Sequence, residues 1–313
     1  MIVTLTANPS LDRTVTVASP LRPGEVQAAV SAREDAGGKG INVAGVIAAA
    51  GEECLAVLPL AADDPFEAAL RSARVRAERV PVSGHVRANL AITDPAGVTT
   101  KLNLPGAPLA AAEATAVVDA VIASTTGAEW LVLAGSLPPG VDDDFYVRVI
   151  RAVRRAHSAP PLIAVDASGP ALAAAVTQGS PDLIKPNAEE LAELAGVRLD
   201  GSGDVAAVLD VARTLVPAGV GAALVTLGAD GAVLVERDGA WAASPPPTRV
   251  ASTVGAGDSA LAGYVLAHTR GSRPEDRLRS AVRYGAAAAS LAGTQPPAPA
   301  DLPSGDVSVV RLT

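Results

Sequence analysis

Trp130-Leu131-Val132-Leu133-Ala134, followed at once by Gly135-Ser136-Leu137-Pro138-Pro139-Gly140, decides the fold class of this chain. Five apolar residues in a row are too few for a helix, and they do not alternate with polar ones. Such a run suits a strand covered on both faces, as in a parallel sheet with helices above and below. A helical stretch at 144–156 follows the glycine-proline loop, and a second apolar run at 162–166 follows that helix. The same rhythm extends in both directions. Strands are predicted at 2–5, 54–58, 183–184, 222–226 and 232–236, and helices at 41–50, 188–195 and 205–215. Strand alternating with helix predicts an α/β fold, a doubly wound and mostly parallel sheet flanked by helices.

Two stretches break the rhythm. Residues 13–34, where Thr14 and Thr16 alternate with Val15 and Val17, and residues 86–104 read as amphipathic strands. Asp94-Pro95-Ala96-Gly97 between two such strands is a hairpin turn. The expectation is a single domain over 1–313 with a small β-sheet lid, inserted at about 12–35 and 84–105. Pro245-Pro246-Pro247 marks a stiff crossing loop, and 295–303 a proline-rich connection to a last short strand.

The hydrophobic fraction is 49% but the aromatic fraction only 2%, so the core must be built from Ala, Val and Leu. The mean hydropathy of +0.31 comes from alanine-rich stretches broken by charge, Gly and Pro. No uninterrupted apolar run of about 18–20 residues occurs, and no membrane span is expected. Met1-Ile2-Val3-Thr4-Leu5-Thr6 reads as a strand, not as a basic segment leading into an apolar one, which argues against a signal peptide. The one cysteine, Cys54, excludes an intrachain disulfide and fits a reducing, cytoplasmic setting, with the thiol filling core beside Leu55. A net charge of −8 argues against nucleic acid and anionic lipid as partners. It also requires a local basic cluster if the substrate is an anion.

The strongest chemical motif is Ser252-Thr253-Val254-Gly255-Ala256-Gly257-Asp258-Ser259, which opens a stretch of helical composition at 259–268. Two glycines before a helix let several backbone N–H groups converge, and with the helix dipole they form an anion site. An aspartate there is repelled by phosphate unless it has a task. Accepting a hydroxyl's proton during phosphoryl transfer is such a task, with the amides of Gly255, Ala256, Gly257 and Asp258 taking up charge. A plain helix-capping aspartate is the competing reading. Gly255-x-Gly257-x-x-Ala260 also satisfies a loose dinucleotide pattern, which would make the chain an NAD-dependent oxidoreductase. That fingerprint belongs after a strand in an early βαβ unit, with an acidic residue ending the next strand. Here it follows a proline-rich loop late in the chain, and the acidic pair Glu275-Asp276 is expected in a loop between helices. A serine hydrolase is disfavoured, because Gly-x-Ser-x-Gly is absent and His85, His157 and His268 show no partner spacing.

Ala36-Gly37-Gly38-Lys39-Gly40-Ile41-Asn42 opens another helix. It is not a P-loop: the spacing differs and no Ser or Thr follows Lys39. Lys39 and Asn42 fall at the helix start, suited to a hydroxyl or phosphate, with a tight turn and an exposed lysine as the alternative. Three further fragments end strands, where open α/β sheets bind ligands. They are Gly135-Ser136-Leu137, Lys185-Pro186-Asn187-Ala188-Glu189-Glu190 and Thr226-Leu227-Gly228-Ala229-Asp230-Gly231. Asn187 and Glu190 lie one turn apart on one helix face, a spacing that suits Mg2+ held through water. The last fragment, taken alone, reads as a hairpin.

Together with Asn8-Pro9-Ser10-Leu11-Asp12-Arg13-Thr14, and in this order, these motifs give a chain that resembles the ribokinase-like, PfkB-type carbohydrate kinases over essentially its whole length. The resemblance implies Asp258 as the base, ATP and Mg2+ as cofactors, and a sugar phosphate as acceptor. It implies contacts to the sugar from Asp12, Gly38, Asn42 and Asn89, with Asn103 and Ser136 beside them. Lys39, Arg87 and Lys101 would meet the sugar's phosphate. Lys185, Asn187, Thr226, Gly228, Gly231, Thr253, Gly255 and Gly257 would line the nucleotide site, and Asn187 and Glu190 would hold the metal through water. Val86-Arg87-Ala88-Asn89 and Thr100-Lys101-Leu102-Asn103-Leu104-Pro105-Gly106 look like the branch that converts fructose 1-phosphate to fructose 1,6-bisphosphate. Tagatose 6-phosphate and fructose 6-phosphate are the alternative substrates, and a non-catalytic sugar-phosphate sensor is a more distant alternative. Lys101 departs from the acidic residue of many relatives, and Thr226 from the commoner serine. Arg13, Arg87, Lys101 and Lys39 would supply the basic cluster that the net charge demands. An exposed lid edge suggests a homodimer formed through the lids.

Overall fold

A ten-stranded sheet runs through the middle of the computed structural model, which describes residues 1–199, 204–216, 218–291 and 293–312. From one edge the order is Ser308–Leu312, Gly239–Ser244, Ala232–Glu236, Ala222–Thr226, Leu183–Ile184, Leu162–Asp166, Trp130–Ala134, Ile2–Leu5, Cys54–Leu60 and Ala77–Pro81. From Ala222–Thr226 onward every pairing is parallel, and the edge beyond it is antiparallel. The chain starts on Ile2–Leu5, builds outward to Cys54–Leu60 and Ala77–Pro81, then returns to the other side at Trp130–Ala134. At that reversal the connections leave in opposite directions and open a crevice at the carboxyl ends of the strands.

The decisive run behaves as its apolar continuity requires. Leu131 and Leu133 pack into one core with Phe145, Tyr146 and Ile150, while Trp130, Val132 and Ala134 pack into the other with Ile47 and Leu261. Two cores, one on each face, leave no room for a polar side chain along the strand. Few large rings are needed because Val, Leu and Ala fill both layers. Cys54 is part of this packing, and burial pushes its thiol up to about 12, so it stays protonated and inert. No helix among the described residues is long and apolar enough to cross a membrane.

A second sheet of four strands projects from the first, in the order Ala29–Gly37, Ser10–Val17, Arg87–Thr93 and Thr99–Asn103. Asp94 closes its hairpin: its amide donates to the Val98 carbonyl at 3.0 Å, and Gly97 N–H donates to the Asp94 carbonyl at 3.0 Å. The strands begin and end a few residues away from the stretches 13–34 and 86–104, and a connection separates Val17 from Ala29. Helix bounds also move. Lys39–Ala49 starts two residues before the predicted 41, and Ala256–Thr269 takes in Gly257 and Asp258. Glu275 and Asp276 do not lie in a loop. They occupy the first turn of the helix Pro274–Ser290, where proline fits the start and acidic side chains favour the helix dipole.

Two glycines set the helix Lys39–Ala49 against the sheet. Gly38 caps it at φ 127°, and a Cβ there would stand 2.6 Å from Thr6 Cγ2. A Cβ on Gly40 would stand 2.5 Å from Thr6 Oγ1 and 2.8 Å from the Leu5 carbonyl oxygen, so the helix start lies directly on the first strand. Gly40→Ala should therefore cost about 1–3 kcal/mol through overpacking, read as a lowered midpoint in chemical denaturation.

Candidate active site

The helix Ala256–Thr269 begins at Gly255, whose φ of 76° lies in the left-handed region that glycine enters without a Cβ penalty. Asp258 is its third residue, only 7% exposed, and it makes no capping bond. Its side chain instead faces the helix Lys39–Ala49, where Asn42 Nδ2 donates to Asp258 Oδ2 at 2.7 Å. Lys39 lies on the same helical face, three residues earlier. Its ammonium donates to Asp166 Oδ1 at 2.7 Å and stands 4.0 Å from Glu190 Oε1. Lys185 comes from beyond the strand Leu183–Ile184 and places its ammonium 3.3 Å from Asp166 Oδ2. It also sits against the glycine helix start, where a Cβ on Gly257 would be 3.3 Å from its Nζ.

The charges interact strongly because little water reaches them. Burial raises the Asp258 carboxyl to about 6, and the neighbouring Asp166 adds to the rise; Lys39, the Asn42 hydrogen bond and Lys185 work the other way. Burial opposes ionisation of Asp166, yet Lys185 and Lys39 hold it below the usual carboxylate range. Burial alone would weaken the Lys39 ammonium, but Asp166 and Asp258 raise it instead, so it stays charged.

The four-stranded sheet carries the other expected contacts. Asp12 accepts from Ser10 Oγ at 2.7 Å and from Asn89 Nδ2 at 2.9 Å. Burial raises its carboxyl, against those two hydrogen bonds and the nearby Arg87. Ser10 pairs with Arg87, Asp12 with Asn89, Asn89 with Asn103 and Ala91 with Lys101. Residues paired directly across a ladder project to one side, so Asp12, Arg87, Asn89, Lys101 and Asn103 share a face. Arg87 Nε and Asn89 Oδ1 are buried without a hydrogen-bond partner among the described residues, a donor and an acceptor side by side. Arg13 lies on the other face and pairs with Glu34 at 2.7 Å, so it does not join Arg87, Lys101 and Lys39. The register explains this: one residue from Asp12 along a strand is the opposite side of the sheet.

The other expected residues sit as follows. Asn187 and Glu190 form a capping box: Asn187 Oδ1 accepts from Glu190 N–H at 2.7 Å, and Glu190 Oε2 accepts from Asn187 N–H at 2.9 Å. Thr226 bridges Asn187 at the end of its strand. Gly228 and Gly231 shape the turn before Ala232–Glu236, and a Cβ on Gly231 would collide with the Ala243 carbonyl. The Thr253 carbonyl accepts from Ala256 N–H at 3.4 Å, just before the helix. Ser136 Oγ lies 3.4 Å from Asn8 Nδ2, which also reaches the Pro105 and Leu137 carbonyls. Asn8, Ser10 and Asp166 were not among the candidate site residues. Asp166 carried one visible signal, an acidic residue ending an apolar strand. His85 pairs with Asp63, His157 with Thr125 and His268 with Trp130; the Thr125 hydroxyl is buried and bonded to the Val121 and Ile122 carbonyls, and no acid–histidine–hydroxyl triad forms among the described residues. No group of three or more His, Cys, Asp or Glu among the described residues could hold a metal. The glycine pair lies beyond an antiparallel strand, outside any first βαβ unit, so the dinucleotide fingerprint does not apply.

A buried carboxylate at a glycine-started helix, faced by two lysines at the carboxyl ends of a parallel sheet, is the arrangement of a phosphotransferase. Residues 5–301 match the pfkB family carbohydrate kinase profile, and the chain belongs to that family. It is similar to the 1-phosphofructokinase of Rhodobacter capsulatus, 36% identical over 308 residues, covering 95% of this chain and 93% of that protein. It is 33% identical to the ATP-dependent 6-phosphofructokinase isozyme 2 of Escherichia coli (strain K12), covering 94% of each. The solved structure of phosphofructokinase-2 from Escherichia coli in complex with fructose-6-phosphate superposes with a TM-score of 0.84 at 31% identity, covering 92% of this chain and 93% of that one.

Because Asp258 binds its proton more tightly folded than unfolded, it adds stability at acid pH that is lost as the pH rises through about 6. Asp258→Asn should melt several degrees higher than the wild type at pH 8, with the gap closing near pH 4, in thermal scans at both pH values.

Proposed function

We propose that this chain transfers the γ-phosphoryl group of ATP to the C6 hydroxyl of fructose 1-phosphate, giving fructose 1,6-bisphosphate and ADP. The observation that carries the reading is Asp258, a buried carboxylate with its proton affinity raised to about 6, bonded to Asn42 and set between the glycine amides and the lysines. A base poised near neutral pH is deprotonated at working pH yet basic enough to draw a proton from an attacking hydroxyl. The sugar phosphate lies under the lid. Its hydroxyls meet Asp12, Asn89, Asn103, Gly38 and Ser136, and its phosphate meets Arg87 and Lys101, whose charge offsets the net −8. The orphaned Arg87 Nε and Asn89 Oδ1 gain partners in this way.

As the C6 oxygen bonds to the γ-phosphorus, its proton passes to Asp258 and the bond to the bridging oxygen of ADP breaks. The amides of Gly255, Ala256, Gly257 and Asp258 receive the charge that builds on the phosphoryl oxygens, and Lys39 and Lys185 neutralise the rest. Lys185, Asn187, Thr226, Gly228, Gly231 and Thr253 line the nucleotide's side. Mg2+ fits as an ion brought in by the phosphates. The capping box leaves Glu190 Oε1 free of the cap, and Mg2+ characteristically keeps its waters and takes only one or two carboxylates. Asn187 and Glu190 would hold it through water, and when bound it neutralises phosphate charge. The lid over the sugar excludes water and limits wasteful ATP hydrolysis.

The lid's other face carries Val15, Leu90, Ile92 and Leu102, with Leu102 54% exposed. We infer a homodimer in which two lids cover these faces. Leu102→Glu should then turn a dimer into a monomer by size-exclusion chromatography with light scattering.

ADP release with Mg·ATP and, separately, fructose 1-phosphate, fructose 6-phosphate, tagatose 6-phosphate, fructose and ribose tests the function. Selective turnover of fructose 1-phosphate is expected. A preference for another phosphosugar would reassign the lid contacts, and turnover of free sugars alone would overturn the role of Arg87 and Lys101. Asp258→Asn should cut kcat by about 10²–10⁴ with sugar binding little changed; a variant with near-normal kcat would refute the base.

A further inference from the structure

The charged and polar groups facing Asp258 are Lys39 and Asn42 from the helix Lys39–Ala49, Asp166 ending the strand Leu162–Asp166, Lys185 after Leu183–Ile184, and Glu190 from Ala188–Ala195. All have a stated task except Asp166, and Asp166 is the most deeply buried of them, with no side-chain exposure. A carboxylate taken out of water is costly unless it is paired. Here each oxygen faces a different ammonium, Lys39 at 2.7 Å and Lys185 at 3.3 Å. That is the single ion pair of Lys185 among the described residues. The backbone of Asp166 is fixed as well. Its carbonyl accepts from Gly135 N–H at 2.9 Å, and the Gly135 carbonyl accepts from the buried Tyr146 hydroxyl at 3.0 Å. A rigid carboxylate therefore holds two flexible side chains that arrive from different parts of the fold. Without its charge, the two ammonium groups would repel each other and drift apart by around an ångström, still beside Asp258 but out of line.

We propose that Asp166 is a positioning residue for phosphoryl transfer: its carboxylate clamps Lys39 and Lys185 so that both ammonium groups converge beside Asp258 on the group being transferred. The inference rests on the kinase reading of this site. The clamp also places a fixed negative charge next to Asp258 as that group takes its proton, an effect that a purely structural role would not produce.

Asp166→Asn keeps the size of the side chain and an acceptor for Lys39, and removes only the charge. With fructose 1-phosphate and Mg·ATP, kcat should fall by about 10²-fold, the cost of misplacing groups by around an ångström. KM for the sugar phosphate should change by less than about threefold. The acid limb of the kcat–pH profile should move to lower pH, since losing a negative neighbour eases ionisation of Asp258. The substrate's own ionisation is common to both enzymes and drops out of the comparison. A kcat close to wild type, or a slowed enzyme whose acid limb stays in place, would overturn the proposal. If Asp166→Asn fails to fold, Lys185→Met carries the test: losing a cation should move the acid limb to higher pH, and an unmoved limb counts against the clamp. No turnover by the wild type would defeat the kinase reading and this role with it; wild-type turnover with unmoved limbs defeats the role of Asp166 alone.

Discussion

The hydrogen bond from Asn42 to Asp258 joins residues 216 apart in the chain, and the site depends on it. It brings together the starts of two helices, each opened by glycine. For the bond to form, the helix Lys39–Ala49 must lie hard on the first strand, which Gly40 permits, and the helix Ala256–Thr269 must start on the turn that Gly255 permits. The two helices pack as neighbours on one face of the sheet. Two helix starts, each with its free backbone amides, then lie side by side, an arrangement that favours an anion.

Much of this was legible in the residues. Apolar runs without alternation gave the central strands because each of those strands is buried on both faces, leaving few polar positions, such as Thr4, to confuse the pattern. The candidate motifs stood out for a related reason: they fall at strand ends, where open α/β sheets bind ligands. What could not be read is what depends on register or on distant contacts. Arg13 and Asp12 are adjacent in sequence, yet pleating sends one to Glu34 and the other to Asn89. Asn187 and Glu190 share a helix face, as their spacing required, but the capping box between them was not foreseen. Their spacing serves a helix start as well as it serves a metal.

Asp166 shows the same limit from the other side. A lone acid after Leu162-Ile163-Ala164-Val165 has no motif around it, and its meaning lies in lysines 127 residues before it and 19 after it. Only folding brings their charges together. Once buried, the lysines hold the Asp166 carboxyl low and Asp166 helps keep the Lys39 ammonium charged, which no local reading of either residue could give.

The scarcity of aromatic residues has an optical corollary. The chain has two tryptophans, Trp130 and Trp241, and both are buried in strands of the large sheet, one beside His268 and the other beneath Arg311. The four-stranded sheet has none. Intrinsic tryptophan emission thus reports on the large sheet, and the four-stranded sheet is dark. A single tryptophan introduced into the four-stranded sheet would be its only one, set against two buried reporters elsewhere.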